Sequence, residues 1–209
     1  GVNFSLHFRA ISGDIKSYFR NSEFLTYFCL IALVTVALTF SLVIKSGNWS
    51  HALFLDSLFQ TVSILTTTGY ATADYELWAF FAQFLILILM FIGGMGGSTG
   101  GGMKIVRVML ILKYAALETR RMLHAKAIIP IRIGKKYISG DVIRNTLGFF
   151  LFYVFIFVFT SFFLTTLNID LKSSMGVAAS ALGNIGPALG EFGPTDNYAL
   201  LPGVGKWLL

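Results

Sequence analysis

Three stretches of the chain, 24–44, 78–94 and 142–167, are apolar along their whole length rather than at the spacing of an amphipathic helix. Each approaches the ~20 residues that span about 30 Å of hydrocarbon. The middle one is short, has Gln83 as its only strongly polar member, and runs into a glycine-rich stretch at 93–102. Beyond it, residues 104–124 alternate basic side chains with Ile105, Val106, Val108, Met109, Ile111 and Leu112, the pattern of a helix with one wet face. A continuous helix from 78 to 124 would be about 70 Å long at ~1.5 Å per residue, too long for a bilayer. The pattern therefore predicts a broken helix, or one that runs well into the cytosol. Two further segments, 51–70 and 168–182, are apolar but too short to cross and return as helices. Such a segment dips in as a short helix and comes back as extended chain, which is tolerated at membrane depth only where the backbone is buried in protein or lines water.

Composition places this pattern in a bilayer. The chain of 209 residues is 56% hydrophobic and 12% charged, with a mean hydropathy of +0.75. A soluble enzyme, a nucleic-acid-binding protein and a disordered chain are all excluded by that balance. The net charge of +6 is informative only by segment. Three Lys and Arg fall in 1–23, one in 45–77, ten in 104–144 and two in 168–209. By the positive-inside rule the first and third of these segments are cytoplasmic, and the other two lie together on the outer side. The outer segments carry Asp56, Asp74, Glu76, Asp170, Glu191 and Asp196 against Lys45, Lys172 and Lys206. Acid at a pore mouth would concentrate cations; ordinary loop charge explains it more simply. The single cysteine, Cys29, leaves no intrachain disulfide and no thiol metal site. The chain opens on Gly1 and Val2 and closes at Leu209 as an apolar run begins, so it reads as an internal or processed fragment with at least one helix cut off.

The two re-entrant segments repeat. An offset of 117 residues superposes Ser57 on Ser174, Ser63 on Ser180, Leu65 on Leu182 and Gly69 on Gly186. The order of elements is then helix, pore loop, helix, followed by helix, pore loop and a missing helix. A cation leaving water needs an oxygen for each lost hydration bond, and backbone carbonyls from converging loops supply them without a full charge in the pore. Gly69 and Gly186 admit the conformations that turn consecutive carbonyls to one axis. Thr66, Thr67 and Thr68 add hydroxyls. The negative C-terminal ends of the two short helices favour a cation, and neither loop carries the Arg or Lys expected of an anion pore. Taken singly, each loop is equally an ordinary helix end or turn.

TTTGY at 66–70, GGMGGSTGGGMK at 93–104 and ALGNIGPALG at 181–190 resemble the third and fourth repeats of the Trk/Ktr/HKT potassium transporters, and are most similar to the TrkH type. NFSLHFRAISGDIKSYFRNSEF at 3–24 resembles the linker before the third repeat. The resemblance implies an all-α membrane protein of helix, re-entrant pore loop, helix units, potassium-channel-like in plan, of which this chain is a fragment of a four-repeat pore. It implies a homodimer in the bacterial inner membrane, potassium as the transported ion, no bound organic cofactor, and control by a cytoplasmic TrkA-like nucleotide-binding ring. Residue by residue, Thr67, Thr68, Gly69 and Tyr70 match the third-repeat filter, and Asn184, Ile185, Gly186 and Pro187 the fourth. Ala188 stands where the family more often has glycine. The division that follows is a cytoplasmic linker at 1–23, a helix, pore loop, helix repeat at 24–124, a cytoplasmic linker at 125–141 and a second repeat lacking its last helix at 142–209. The fragment alone is not expected to conduct.

Gly93, Gly94, Gly96, Gly97, Gly100, Gly101 and Gly102 surround Ser98 and Thr99. So many glycines, each costing ~1 kcal/mol against alanine in a helix, disfavour helix there. The run is read as a flexible intramembrane loop under the filter that blocks the pore and moves aside on activation, the role the resemblance also implies. Glycines four apart, such as Gly93 and Gly97, equally allow close helix packing. A phosphate-binding loop is excluded, because Met103 separates the last glycine from Lys104 and no strand precedes the run. The basic residues Lys104, Arg107, Lys113, Arg120, Arg121, Lys126, Arg132, Lys135 and Lys136 set topology and attract anionic lipid, and offer a surface to a regulatory partner. His7, His51 and His124 are scattered, and no nucleophile and base converge inside a span, so no enzyme is expected. Two rivals remain: a secondary transporter with broken helices, which calls for ionisable residues within the spans, and a non-conducting structural membrane subunit.

Overall fold

Among the described residues of the computed structural model, two helices are long and apolar enough to cross a bilayer, α3 (Ser22–Ser46) and α7 (Gly140–Thr166). The structure describes residues 1–123, 130–134 and 136–209. Before α3 come α1 (Phe4–Ile11) and α2 (Lys16–Arg20), in the segment read from sequence as a linker. Asn21 caps α3 by accepting from the Phe24 N–H, and Gly47 ends it in the left-handed region at φ +74°. The helix is apolar on all sides. It buries Val34, Leu38 and Leu42 while leaving Leu33, Val36, Phe40 and Ile44 uncovered. α7 does the same with Leu164 inside and Leu151, Phe155, Val158 and Phe162 outside. A face of that kind needs lipid or further protein against it.

Each long helix packs on the short helix that follows it: α3 on α4 (His51–Leu65), and α7 on α8 (Leu171–Gly183). Ser50 caps α4 through the Leu53 N–H, and Asp170 caps α8 through the Ser173 N–H. Between the two pairs, α5 (Phe80–Phe91) contacts α3, α4 and α8. Its buried Ala82, Ile86, Leu89 and Met90 join Leu38, Leu65 and Met95 in one core that reaches Ala179, Ile185 and Leu189 of the second half. A second cluster of Leu164, Val177, Ala188, Phe192 and Leu201 closes the other side.

The predicted helix over 78–94 is shorter than its apolar pattern. Tyr75–Leu77 form a 3₁₀ turn, and Trp78 and Ala79 are extended. At the far end Ile92 and Gly93 leave the helix as β1 (Ile92–Gly93) and pair in parallel with β2 (Met103–Lys104), in the register Ile92 to Met103 and Gly93 to Lys104. The glycine run is thereby pinched into a loop at its neck. The break demanded by length is thus realised in the glycine run. α6 (Ile105–Leu123) then continues and packs on α7, around Leu110 and Leu117. Beyond it, β3 (Arg132–Ile133) and β4 (Lys136–Tyr137) form a small antiparallel hairpin. His124, Lys126 and Lys135 lie outside the described residues. α9 (Gly203–Leu208) follows the second loop.

Candidate functional site

α4 ends at Leu65 with Thr66 as its cap, and the chain turns with Thr67 at φ +57° and Gly69 at φ +78°. α8 ends at Gly183, and the chain turns with Asn184 at φ +51° and Gly186 at φ +113°. The two pairs are separated by the same offset of 117 that relates the sequences. In each loop a residue of negative φ, Thr68 or Ile185, lies between two in the left-handed region. The two loops thus share one backbone pattern. The hydrogen bonds repeat as well. The Thr67 N–H donates to Ile64 O at 3.0 Å and Thr68 N–H to Ser63 O at 2.8 Å; Asn184 N–H donates to Ala181 O and Ile185 N–H to Ser180 O, both at 3.0 Å.

Serines at equivalent positions brace the loops from behind. The Ser63 hydroxyl donates to Tyr70 O at 2.6 Å, and the Ser180 hydroxyl donates to Gly186 O at 3.0 Å. Gly186 O also accepts from the Tyr198 hydroxyl at 2.6 Å. Among the described residues, no donor reaches the carbonyls of Thr66, Thr67, Thr68, Gly69, Asn184 or Ile185. The Pro187 carbonyl is likewise without a donor among the described residues. The Tyr70 and Gly186 carbonyls are already engaged.

The loops touch. A Cβ at Gly69 would overlap the Ile185 carbonyl oxygen and lie 3.2 Å from Pro187 Cδ. The contact exists because residue 69 has no side chain, and the positive φ independently favours glycine there. Thr68, Tyr70, Asn184 and Gly186 are exposed, whereas Ile185 is buried in the core.

The glycine run lies against both loops. Gly101 N–H donates to Thr67 Oγ1 at 2.8 Å, and a Cβ at Gly100 would stand 3.2 Å from Thr66 O. A Cβ at Gly101 would overlap Gly183 O. Of the other run residues, Gly93 and Gly94 are buried, Gly97 and Thr99 are exposed, and Gly96, Ser98 and Gly102 are intermediate. Side chains missed in the sequence hold the run from the opposite face. Glu23 Oε1 accepts from the Gly96 N–H at 2.6 Å, Asn3 Nδ2 donates to Gly96 O at 2.6 Å, and the Phe4 N–H donates to Gly97 O at 3.2 Å. The Lys104 ammonium donates to Ser98 O at 3.0 Å and also to Gly100 O. Asn3 and Glu23 are separated by many residues from their partners, so nothing local marks them; Ser63 and Ser180 stand out in the sequence only as identities between the two halves, not as braces.

Four of the outer acids, Asp56, Asp74, Glu76 and Asp170, are spent on structure. Glu76 pairs with Lys172 and accepts from the Gly190 N–H at 2.8 Å. Asp56 accepts from the Thr72 hydroxyl at 3.0 Å, Asp74 from the Glu76 N–H at 2.9 Å, and Asp170 caps α8. The buried Tyr75 hydroxyl donates to Ala188 O at 2.8 Å, tying the outer segment of the first half to the chain just after the second loop. Burial pushes the Tyr198 phenol up from its ordinary value, with a hydrogen bond to Ser180 opposing, so the hydroxyl at Gly186 O stays a neutral donor.

The TrkH family model, described as a cation transport protein, matches residues 1–200. The chain is 33% identical over 214 residues to the Trk system potassium uptake protein TrkH of Escherichia coli K12, covering 100% of this chain and 43% of that protein. It is 36% identical over 216 residues to the TrkH protein of Vibrio parahaemolyticus, covering 99% and 43%. The crystal structure of the potassium transporter TrkH from Vibrio parahaemolyticus superposes with a TM-score of 0.90 at 34% identity, over 99% of this chain and 45% of that one. The chain thus spans less than half the length of the relatives it matches.

Proposed function

The chain belongs to the TrkH family of cation transport proteins, and on that premise we propose that it supplies part of a potassium pathway across the bacterial inner membrane, as one half of a multi-pass pore. Thr67, Thr68, Gly69 and Tyr70 and Asn184, Ile185, Gly186 and Pro187 form two of the converging filter segments. Dehydrated potassium is held chiefly by the carbonyls left without donors, with the C-terminal ends of α4 and α8 adding a favourable field. The glycine run at 93–102 closes the path beneath them, and its movement opens it. The cytoplasmic basic face that includes Arg107, Lys113 and Arg120 receives a TrkA-like nucleotide-binding ring, and the whole protein works as a homodimer. Residues 24–124 and 142–209 act as successive repeats, with 1–23 and 125–141 as cytoplasmic connections. The chain carries the ion as cargo; it has no enzymatic step and needs no organic cofactor.

One observation carries this reading: two loops of matching backbone conformation meet at Gly69 and Ile185, directly above the glycine run. The test is rubidium and sodium flux through the full-length protein in liposomes, wild type against Gly69→Ser. A fall in the rubidium to sodium ratio supports the filter role; an unchanged ratio in folded protein removes Gly69 from the filter. Flux that saturates and is coupled to a second ion favours a secondary transporter, and absence of flux favours a structural subunit.

A further inference from the structure

The glycine run has little intrinsic preference for one conformation, so whatever fixes it must come from outside. Two opposite charges do so from either side. Glu23 opens α3 and takes the Gly96 N–H at 2.6 Å; Lys104, in the two-residue strand at the loop's neck, donates to Ser98 O and Gly100 O. One grips the first half of the run and the other the second. Asn3 assists the first by donating to Gly96 O. Bonds with an ionised partner are about twice as strong as neutral ones, and in a partly buried setting they are screened less. No ion pair joins the two among the described residues; each feels the other's charge across the loop, while their hydrogen bonds go to Gly96, Ser98 and Gly100 of the run.

We propose that Glu23 and Lys104 are the positioning residues of the gate, an electrostatic latch whose two arms hold the glycine run in its closed form against Thr67 and Gly183. Lys104 acts twice. Its ammonium fixes Gly100, whose neighbour Gly101 bonds to the Thr67 hydroxyl, and it places a positive charge beside the cation path while the loop is closed. Opening withdraws the loop carbonyls from Lys104 and the loop N–H from Glu23 together, and because α6 starts at the residue after Lys104, a displacement of α6 breaks the Lys104 arm directly. The inference rests on the run being the gate and adds what keeps it shut.

The experiment uses the full-length protein, in a Cys29→Ser background, in liposomes without its regulator. Lys104→Met and Glu23→Gln are compared with Lys104→Arg, which keeps charge and donors. Two readouts are taken: rubidium flux, and the rate at which a membrane-impermeant thiol reagent labels Thr99→Cys on the loop. The latch predicts that Lys104→Met raises basal flux and labelling about tenfold or more, as expected when charge-assisted bonds leave the closed state. Glu23→Gln, which keeps an acceptor of the same shape, gives a smaller rise, and Lys104→Arg stays near wild type. A merely structural role would lower stability without raising either readout. A variant with the run shortened serves as the reference. If shortening raises flux while both neutral variants match wild type, the latch is wrong and the gate stands. If shortening changes nothing in folded protein, the gate reading fails and the latch with it. Should Lys104→Met not fold, Glu23→Gln alone decides: unchanged flux and labelling overturn the proposal.

Discussion

At the scale of single residues, what matters most is the absence of a side chain at 69. The position combines a left-handed φ of +78° with direct contact between its Cα and the Ile185 carbonyl, so alanine or serine there is strained twice. Backbone strain of this kind costs about 1–3 kcal/mol, before any displacement of the second loop is counted. Gly69→Ala is therefore expected to lower the midpoint of thermal unfolding in detergent and to reduce rubidium over sodium selectivity together. Asp170 makes a second residue-scale prediction. Burial alone would raise its carboxyl, but the Ser173 hydroxyl and N–H, the Lys172 N–H and the Lys172 charge outweigh that and hold it below the ordinary 3.8. Its folded value is depressed, so its contribution is complete above the unfolded value and is lost as pH falls through the folded one. Asp170→Ala is expected to cost about 0.5–2 kcal/mol at neutral pH, as for other lost caps. Unfolding measured against pH should show that deficit shrinking only below about pH 4; a deficit independent of pH would mean that the charge contributes nothing.

At the scale of elements, the relation between the two halves is tighter in backbone than in sequence. Four identities at an offset of 117 become two matching pairs of left-handed residues and two matching pairs of loop hydrogen bonds. The long spans α3 and α7 were legible because an unbroken apolar run of that length has few alternatives. The break at the glycines was legible because a single helix was too long. Hydropathy overstated α5, because Trp78, Ala79 and Ile92 are apolar whether helical or extended. The grip on the glycine run was not legible at all: Asn3, Glu23 and Lys104 are isolated polar residues whose partners are backbone atoms, and backbone partners leave no pattern in the side chains. Asp56, Asp74, Glu76 and Asp170 hold the outer segments through hydrogen bonds and one ion pair, which neither reading of the outer acids anticipated. Two element-scale outcomes follow. Tyr75→Phe strips the buried Ala188 carbonyl of its donor at a cost of about 1–3 kcal/mol, and should destabilise the protein while leaving the glycine run's accessibility unchanged. Gly101→Ala drives a Cβ into the Gly183 carbonyl, so the run should lift from the end of α8 and basal rubidium flux should rise; unaltered flux in folded protein would show that the run does not obstruct the path.

For the whole molecule, the glycine run touches the loops that follow both α4 and α8, and the uncovered faces of α3 and α7 show where lipid or the rest of a longer chain must sit. A pore made this way selects by supplying oxygens at fixed places, so its loops must face a shared axis with the remaining segments in place. The family match and the superposition on a potassium transporter supply the architecture; the filter chemistry proposed for the loops is what an experiment must test. Anomalous diffraction from crystals of the full-length protein grown in rubidium tests that chemistry most directly. The account predicts anomalous peaks within coordination distance of the carbonyls of Thr67, Thr68 and Gly69 and of Asn184 and Ile185, lost when sodium replaces rubidium. Rubidium bound elsewhere, with those oxygens facing protein or lipid, would contradict it.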